Sequence, residues 1–238
     1  MKKLYYITLF VICLIGSNVY ACNIHYENQR YELTEGEYNY IIEFYGEKYL
    51  SHMTEDQYCW IKKLDIDTNG YEIRKADMNE NSVRGTFANS NGKTVSISKV
   101  CNANYCSVTL LTTFLSQPSV KSYDVVGARF MNTSLYNSNI TTIISSSSGS
   151  STQSNYMSYY NGFGNSIQLP SSGTIYSVEQ RYQVNKTGIV YGSYQHAMTN
   201  ISLSNSKLYT ISSSGYGNVF SFYGNAYGVY DNTTGVYI

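Results

Sequence analysis

The spacing of apolar and polar positions predicts helices in the first part of the chain. Thr34 is followed by Glu37, and Thr54 by Gln57, which is the spacing of a capping box at a helix start. Apolar residues follow both boxes at intervals of three and four positions. The pattern therefore predicts one or two short helices within residues 35–63.

Alternation with a period of two takes over after these helices. Residues 64–73 alternate around Asn69-Gly70, a favoured two-residue turn, and this predicts a β-hairpin. Residues 176–184 carry apolar side chains on one face, with Gln180 as the exception, and polar ones on the other. This predicts a strand with one solvated face, followed by a second strand over residues 189–197.

Short alternating runs separated by glycine-rich segments continue to the end of the chain. Seven or more such runs after residue 120 predict an all-β sandwich or barrel. The stretch 145–151 is nearly all serine around Gly149. Because it has no apolar surface to bury, we expect it to form a mobile loop or an insertion.

Charge divides the chain in two. The formal net charge is zero, but 13 of the 16 acids precede residue 121, where 9 basic residues of the mature chain also lie. The composition changes near Gln117-Pro118, so we predict a boundary there. The predicted fold is an α+β N-terminal domain (22–117) followed by an all-β, sandwich or barrel-like, C-terminal domain (120–238).

The first 21 residues have the pattern of a signal peptide. Lys2 and Lys3 precede an apolar run, and Ala21 ends a small-residue cleavage site. We therefore expect a secreted or extracytoplasmic protein. Cys22 follows the cleavage site directly, so the alternative is a protein anchored by a lipid at this residue.

The mature chain keeps four cysteines, an even number that an exported protein can pair as disulfides. Spacing favours Cys101–Cys106 closing a small loop, which leaves Cys22 for Cys59. Lipidation of Cys22 would leave three cysteines, an odd number that cannot all pair. The even number in the unlipidated chain therefore favours soluble secretion.

Neither a metal nor another cofactor is expected. Asp65, Asp67 and Asn69 match the first half of a calcium-binding EF-hand loop, but the twelfth position is Ala76 where a bidentate carboxylate is needed. The three histidines lack the spacing of a zinc motif. A zero net charge also excludes a nucleic-acid binder that works through a strong positive field.

Catalytic chemistry has few candidate groups in the second part. It contains three acids, Asp124, Glu179 and Asp231, and one histidine, His196. We interpret His196 as a hydrogen-bonded strand residue rather than a general base, because no partner is marked in the sequence. A secreted hydrolase on a β scaffold is therefore only a further alternative.

Tyrosine is the most informative residue type, with 15 of its 27 copies after residue 120. A tyrosine offers a flat apolar face and a hydroxyl, which suits contacts with sugars or proteins. We therefore predict a secreted, non-enzymatic binding protein that recognises a glycan or a surface protein. The predicted binding residues are Tyr159, Tyr160, Tyr216, Tyr227 and His196.

A membrane-acting β-pore former is the alternative. The Ser/Thr-rich stretch 133–158 could supply an inserting hairpin, but its isoleucines break the strict alternation that such a hairpin needs. Membrane contact is therefore expected only through this hairpin or through lipidation at Cys22.

Overall fold

A computed structural model describes residues 32–51, 53–75, 92–213, 219–231 and 235–238. Leu33–Ile238 forms one compact unit. The predicted signal peptide, Cys22 and Tyr216 lie outside the described residues. The Cys22–Cys59 pairing therefore stays a prediction.

Two capping boxes open the helical part, as predicted. Helix α1 (Glu35–Phe44) begins after Thr34, whose hydroxyl accepts from the Glu37 backbone while the Glu37 side chain bonds back to the Thr34 N–H. Helix α2 (Glu55–Leu64) begins after Thr54, and Gln57 closes the same box.

The hairpin predicted over residues 64–73 is wrong. Asp65 ends α2 in the left-handed region at φ 51°, and residues Ile66–Asn69 form a short helix, α3. Gly70 then turns the chain at φ 64° into strand β1 (Glu72–Lys75). Ile66 is buried with the helices, so tertiary packing prevailed over the local alternation.

The remaining chain forms two large antiparallel sheets. The strands of the first sheet after β1 are β2 (Lys93–Cys101), β3 (Cys106–Phe114), β5 (Thr141–Ser146), β6 (Gly149–Gln153) and β9 (Ile175–Val184). Those of the second are β4 (Tyr123–Met131), β7 (Tyr156–Tyr159), β8 (Gly162–Gln168), β10 (Ile189–Gln195) and β13 (Val236–Tyr237). The first sheet has the spatial order β1-β2-β3-β9-β5-β6, and the second has the order β13-β10-β4-β8-β7.

The two sheets share one hydrophobic core and form a β-sandwich. Val108 and Leu110 of β3 and Val178 of β9 belong to the same buried cluster as Val126 of β4 and Phe163 of β8. Side chains from the inner faces of both sheets therefore meet, which is the packing of a sandwich. The predicted arrangement of N-terminal helices followed by β-sheets is confirmed in outline.

The boundary predicted near residue 117 does not separate two folding units. Strand β3, before the boundary, pairs with β9, after it, from Cys106↔Val184 to Thr113↔Ser177. The first sheet is thus built from both halves of the chain.

The helices cover the outer face of the first sheet, and this corrects the prediction for residues 176–184. These residues do lie in a strand, β9, but its polar face is not solvated: Glu179 is fully buried and Arg181 is 5% exposed. The Tyr45 hydroxyl, directly after α1, and the Gln57 amide of α2 donate to Glu179, and the Asp56 carboxylate of α2 accepts from Arg181. The alternation correctly indicated two faces, but not that a helical layer covers the polar one.

A third layer covers the outer face of the second sheet. It comprises helix α4 (Leu203–Ser206) and strands β11 (Tyr209–Ile211) and β12 (Phe220–Phe222), which pair with each other. Tyr209 and Phe220 pack there with Val125 and Tyr191 of the sheet.

The serine-rich stretch 145–151 is not the mobile loop that was expected. It lies in the hairpin of β5 and β6, paired from Thr142↔Gln153 to Ser146↔Gly149. Backbone hydrogen bonds hold β6 at the sheet edge, although its residues are mostly exposed. A strand of this kind needs no apolar side chains of its own.

The Cys101–Cys106 disulfide is confirmed, and it joins directly paired residues of β2 and β3. Replacing both cysteines by alanine is expected to lower the free energy of unfolding by about 2 kcal/mol, because the bond closes only a short loop. Urea unfolding under non-reducing conditions measures the change. An unfolding curve that superimposes on that of the wild type would contradict the prediction.

Candidate functional site

A cleft of about 490 Å³ lies where β4, the β5–β6 hairpin and the end of β8 come together. We call it the Tyr123 cleft. Its lining residues are Tyr123, Ser146, Ser148, Gly149, Ser150, Ser151, Gln153, Asn155, Gln168, Leu169, Pro170 and Ser171. The volume falls within the range of small-molecule sites.

Hydrogen bonds fix the amide side chains of the cleft. The Gln153 amide nitrogen donates to the Gln168 carbonyl at 2.8 Å, and the Gln168 backbone N–H donates to the Gln153 side-chain oxygen at 2.9 Å. The Tyr123 hydroxyl donates to the side-chain oxygen of Gln168 at 3.2 Å. These three residues are therefore held in place before any ligand arrives.

The chemistry of the cleft is polar but uncharged. None of its lining residues is an acid or a base. Serine hydroxyls and amides can both donate and accept hydrogen bonds. A site of this kind can match a ligand with many hydroxyl groups, but it offers no counter-charge to an ion.

Three of the predicted binding tyrosines, Tyr159, Tyr160 and Tyr227, do not line this cleft. Tyr160 is fully exposed in the β7–β8 turn, at the other end of that hairpin from Asn155 and Gln168. Tyr227 is 80% exposed after α4 and β12. Tyr159 is half-buried, and its hydroxyl donates to the Tyr209 carbonyl at 2.7 Å.

His196 is buried rather than grouped with the exposed tyrosines. It is 6% exposed, and its Nδ1 lies 2.8 Å from Oδ2 of Asp124. The same oxygen accepts from the Tyr194 hydroxyl at 2.5 Å, and Oδ1 accepts from the Ala197 N–H at 2.9 Å. His196 is therefore hydrogen-bonded, as interpreted from the sequence, but it lies directly after β10 rather than in a strand.

Burial controls the ionisation of this cluster. Desolvation raises the pKa of Asp124 above its usual value, against the opposing hydrogen bonds from His196, Ala197 and Tyr194. Burial and the Asp124 carboxylate also raise the pKa of Tyr194 well above its usual value. The Tyr194 hydroxyl therefore stays protonated and donates.

An Asp–His pair is part of many catalytic triads, but a triad also needs a nucleophile bonded to the ring. Within the described ranges, no serine, threonine or cysteine side chain is hydrogen-bonded to the His196 ring.

A second buried polar cluster joins the helices to the first sheet. Glu179 accepts from the Tyr45 hydroxyl at 3.0 Å and from Nε of Arg181 at 2.5 Å, while Gln57 donates to its other oxygen at 3.3 Å. Nη1 of Arg181 also bonds to Asp56 at 2.7 Å. Although burial lowers it, the Glu179 carboxylate raises the pKa of Arg181 above its usual value.

In the part of the chain that the structure describes, no three His, Cys, Asp or Glu side chains come together as a metal site. No helix of that part has the length and apolarity to cross a bilayer. The stretch suggested for membrane insertion forms β5, β6 and β7 here, and Ile140 and Ile144 lie in the sandwich core.

Comparisons with known proteins do not assign a family. No family model matches the chain, and no curated protein matches it. Among solved structures, the chain resembles the pilus backbone (RrgB) of Streptococcus pneumoniae at 11% identity and a TM-score of 0.27, over 54% of this chain and 32% of that one. The match spans about a third of the length of that protein, and a TM-score of this size does not show a shared fold.

The Tyr123 cleft was missed by sequence reasoning because its parts come from three distant segments. Tyr123 and Gln168 meet through the pairing of β4 with β8, and Gln153 of β6, in the other sheet, reaches them through its hydrogen bonds to Gln168. One signal was present: the serine-rich stretch runs directly into Gln153 and Asn155, and such a run of hydroxyls and amides is typical of a polar surface.

Proposed function

We propose that the protein is an exported, non-enzymatic binding protein that holds a neutral glycan in the Tyr123 cleft. The observation that carries the proposal is the combination of a tyrosine, serine hydroxyls and fixed amides in one cleft without charge. A neutral sugar presents hydroxyl groups to such donors and acceptors, and its carbon faces can pack on an aromatic ring.

The fixed geometry of the amides supports this function. Because Gln153 and Gln168 already bond to each other, a ligand does not have to order them on binding. The exposed serines at positions 148, 150 and 151 lie beside them on β6 and the turn before it. Their hydroxyls rotate and can adapt to the ligand.

The Cys101–Cys106 disulfide supports the exported location. Disulfides form and persist in oxidising compartments and are rare in the reducing cytosol. A disulfide-stapled sandwich would present the cleft outside the cell, where glycans are abundant ligands.

Replacing Tyr123 by alanine is expected to weaken glycan binding about tenfold, because its side chain is the aromatic face of the cleft. A screen of neutral oligosaccharides would first identify a ligand, and titration calorimetry would then compare the variants. Tyr38→Ala is the matched control, since Tyr38 is exposed on α1 and does not line the cleft. Thermal melting checks that both variants fold.

Two results would overturn the proposal. One is the absence of binding to every neutral glycan in the screen. The other is an equal loss of affinity in Tyr123→Ala and Tyr38→Ala.

A protein partner is the second candidate, and the exposure of Tyr160 and Tyr227 favours it. Tyrosine is enriched in protein interfaces because it offers a large contact area at low entropic cost. Tyr159, Tyr216 and His196 complete the binding set predicted from the sequence. Capture of a surface protein that is lost in Tyr160→Ser and kept in Tyr123→Ala would favour this surface over the cleft.

A further inference from the structure

Lys93 and Asp231 form a buried pair that joins distant parts of the chain. Lys93 is the first residue of β2 in the first sheet and is 1% exposed. Asp231 follows Tyr230, which bridges to Ala197 beside the end of β10 in the second sheet, and is 8% exposed. Their side chains, 138 residues apart, are in direct contact through Nζ and Oδ2.

The carboxyl group of Asp231 is held firmly against the backbone of His196. The His196 N–H donates to Oδ1 at 3.1 Å, and the Asp231 N–H donates to the His196 carbonyl at 2.9 Å. Oδ2 is left facing the lysine. The two oxygens therefore have different partners and are fixed in orientation.

The amine is equally confined. Nζ of Lys93 lies 5.7 Å from the centre of the Tyr194 ring, which shields it on that side. The Tyr194 hydroxyl itself bonds to Asp124, and Asp124 is also bonded by His196 and Ala197. Asp124 therefore has its own hydrogen-bond partners, and the Lys93 amine contacts Asp231.

An ionised pair at this depth loses the hydration of both charges. Transfer of one proton from Nζ to Oδ2 gives an uncharged amine and an uncharged carboxylic acid, which avoids that loss. A neutral amine next to a neutral carboxyl group is also the reactive form, because the nitrogen lone pair is free to attack the carbonyl carbon.

We propose that Lys93 and Asp231 condense into an intramolecular amide bond. The Nζ lone pair attacks Cγ of Asp231 and forms the new N–C bond. The Cγ–Oδ2 bond then breaks, and Oδ2 leaves as water with the proton it has already received and a second proton from Nζ. Atoms balance without a co-reactant: an ammonium and a carboxylate give one amide and one water.

The surroundings favour this step in two ways. Direct contact between the two groups replaces a bimolecular encounter by an intramolecular one, which gives a high effective concentration. The His196 N–H already points to Oδ1, the oxygen on which negative charge would develop during the attack. Burial keeps water away from the pair.

The bond would tie the start of β2 in the first sheet to the segment beside β10 in the second sheet. It would close a loop of 138 residues that contains most of both sheets. The proposal concerns the covalent structure of the fold and does not depend on the glycan function.

Mass spectrometry of the full mature chain tests the proposal. After reduction and denaturation, the wild type is expected to be lighter by one water than calculated, and Lys93→Met is expected to show its full calculated mass. Lys93→Met is a suitable variant because it keeps an unbranched side chain without an amine. A wild type of full mass would overturn the proposal.

A peptide map of the digested wild type locates the bond and does not depend on whether the variant folds. One branched peptide containing both Lys93 and Asp231 is expected. In Asp231→Asn the same branched peptide is expected with loss of ammonia instead of water, because the amide nitrogen then leaves. Separate peptides of normal mass, or a water loss that maps to other residues, would refute the assignment.

Discussion

Replacing Glu179 by alanine is expected to lower the free energy of unfolding by about 4 kcal/mol, since it leaves a buried arginine without its main partner. Glu179 is fully buried and is the shared acceptor for Tyr45, Gln57 and Arg181. After the substitution, Arg181 keeps its contact with the Trp60 ring and its bond to Asp56, whose side chain is largely exposed. Urea unfolding followed by circular dichroism measures the loss.

The control for this experiment is Glu47→Ala, which removes an exposed acid from the same helical layer. A second comparison separates the charge from the packing. Changing Glu179 to leucine together with Arg181 to methionine removes both charges, and the double variant is expected to be more stable than Glu179→Ala. If Glu179→Ala and Glu47→Ala had equal unfolding free energies, the central role of Glu179 would be refuted.

The helix starts could be predicted from the sequence because a capping box is a local signal. Thr34 and Glu37 bond to each other's backbone N–H within one helical turn, and these bonds do not depend on distant parts of the chain. The hairpin at residues 64–73 failed for the opposite reason. Alternating Leu64 and Ile66 also fit the end of one helix and the start of another, and burial of both against the helical layer decided between the two.

The strands were predictable, but their surroundings were not. The alternation in β9 correctly separated Val178 and Tyr182 from Glu179 and Arg181. It could not show that α1 and α2 cover the polar face, because that depends on contacts across more than 100 residues. A buried charge needs a partner. The rarity of acids after residue 120 was the available clue that the few acids there are buried and paired.

That clue extends to all three acids of the second half. Each is buried beside a basic or histidine side chain: Asp124 beside His196, Glu179 beside Arg181, and Asp231 beside Lys93. In this weakly charged half of the chain, all three acids are therefore buried in paired contacts. Their positions are structural, which is why the uncharged cleft, and not an acid, carries the proposed binding function.

The Asp124→Asn variant is expected to be less stable than the wild type, by about 2 kcal/mol in acid, with a difference that shrinks as the pH rises. The amide group of asparagine adds a hydrogen-bond donor. It would face the Tyr194 hydroxyl and the Ala197 N–H, which already donate to the carboxyl group, and the His196 ring. This accounts for the loss of stability. The dependence on pH has a separate cause.

Burial raises the pKa of Asp124 in the folded protein, so the folded state holds this proton more tightly than the unfolded chain. The stabilisation is therefore fully present below the unfolded pKa, about 3.9, and is lost as the pH rises through the folded pKa. Asparagine does not titrate, so subtracting its unfolding free energy from that of the wild type isolates the carboxyl. Urea unfolding of both proteins across this window measures the difference.

Two companion variants make the result specific to this carboxyl. Asp65→Asn removes an exposed acid and tests whether a change in net charge alone has the same effect. His196→Gln, scanned alone and with Asp124→Asn, separates the carboxyl from the ring that shares its Oδ2. A difference that grows with rising pH would mean that attraction to the neighbouring groups outweighs the cost of burying the Asp124 charge.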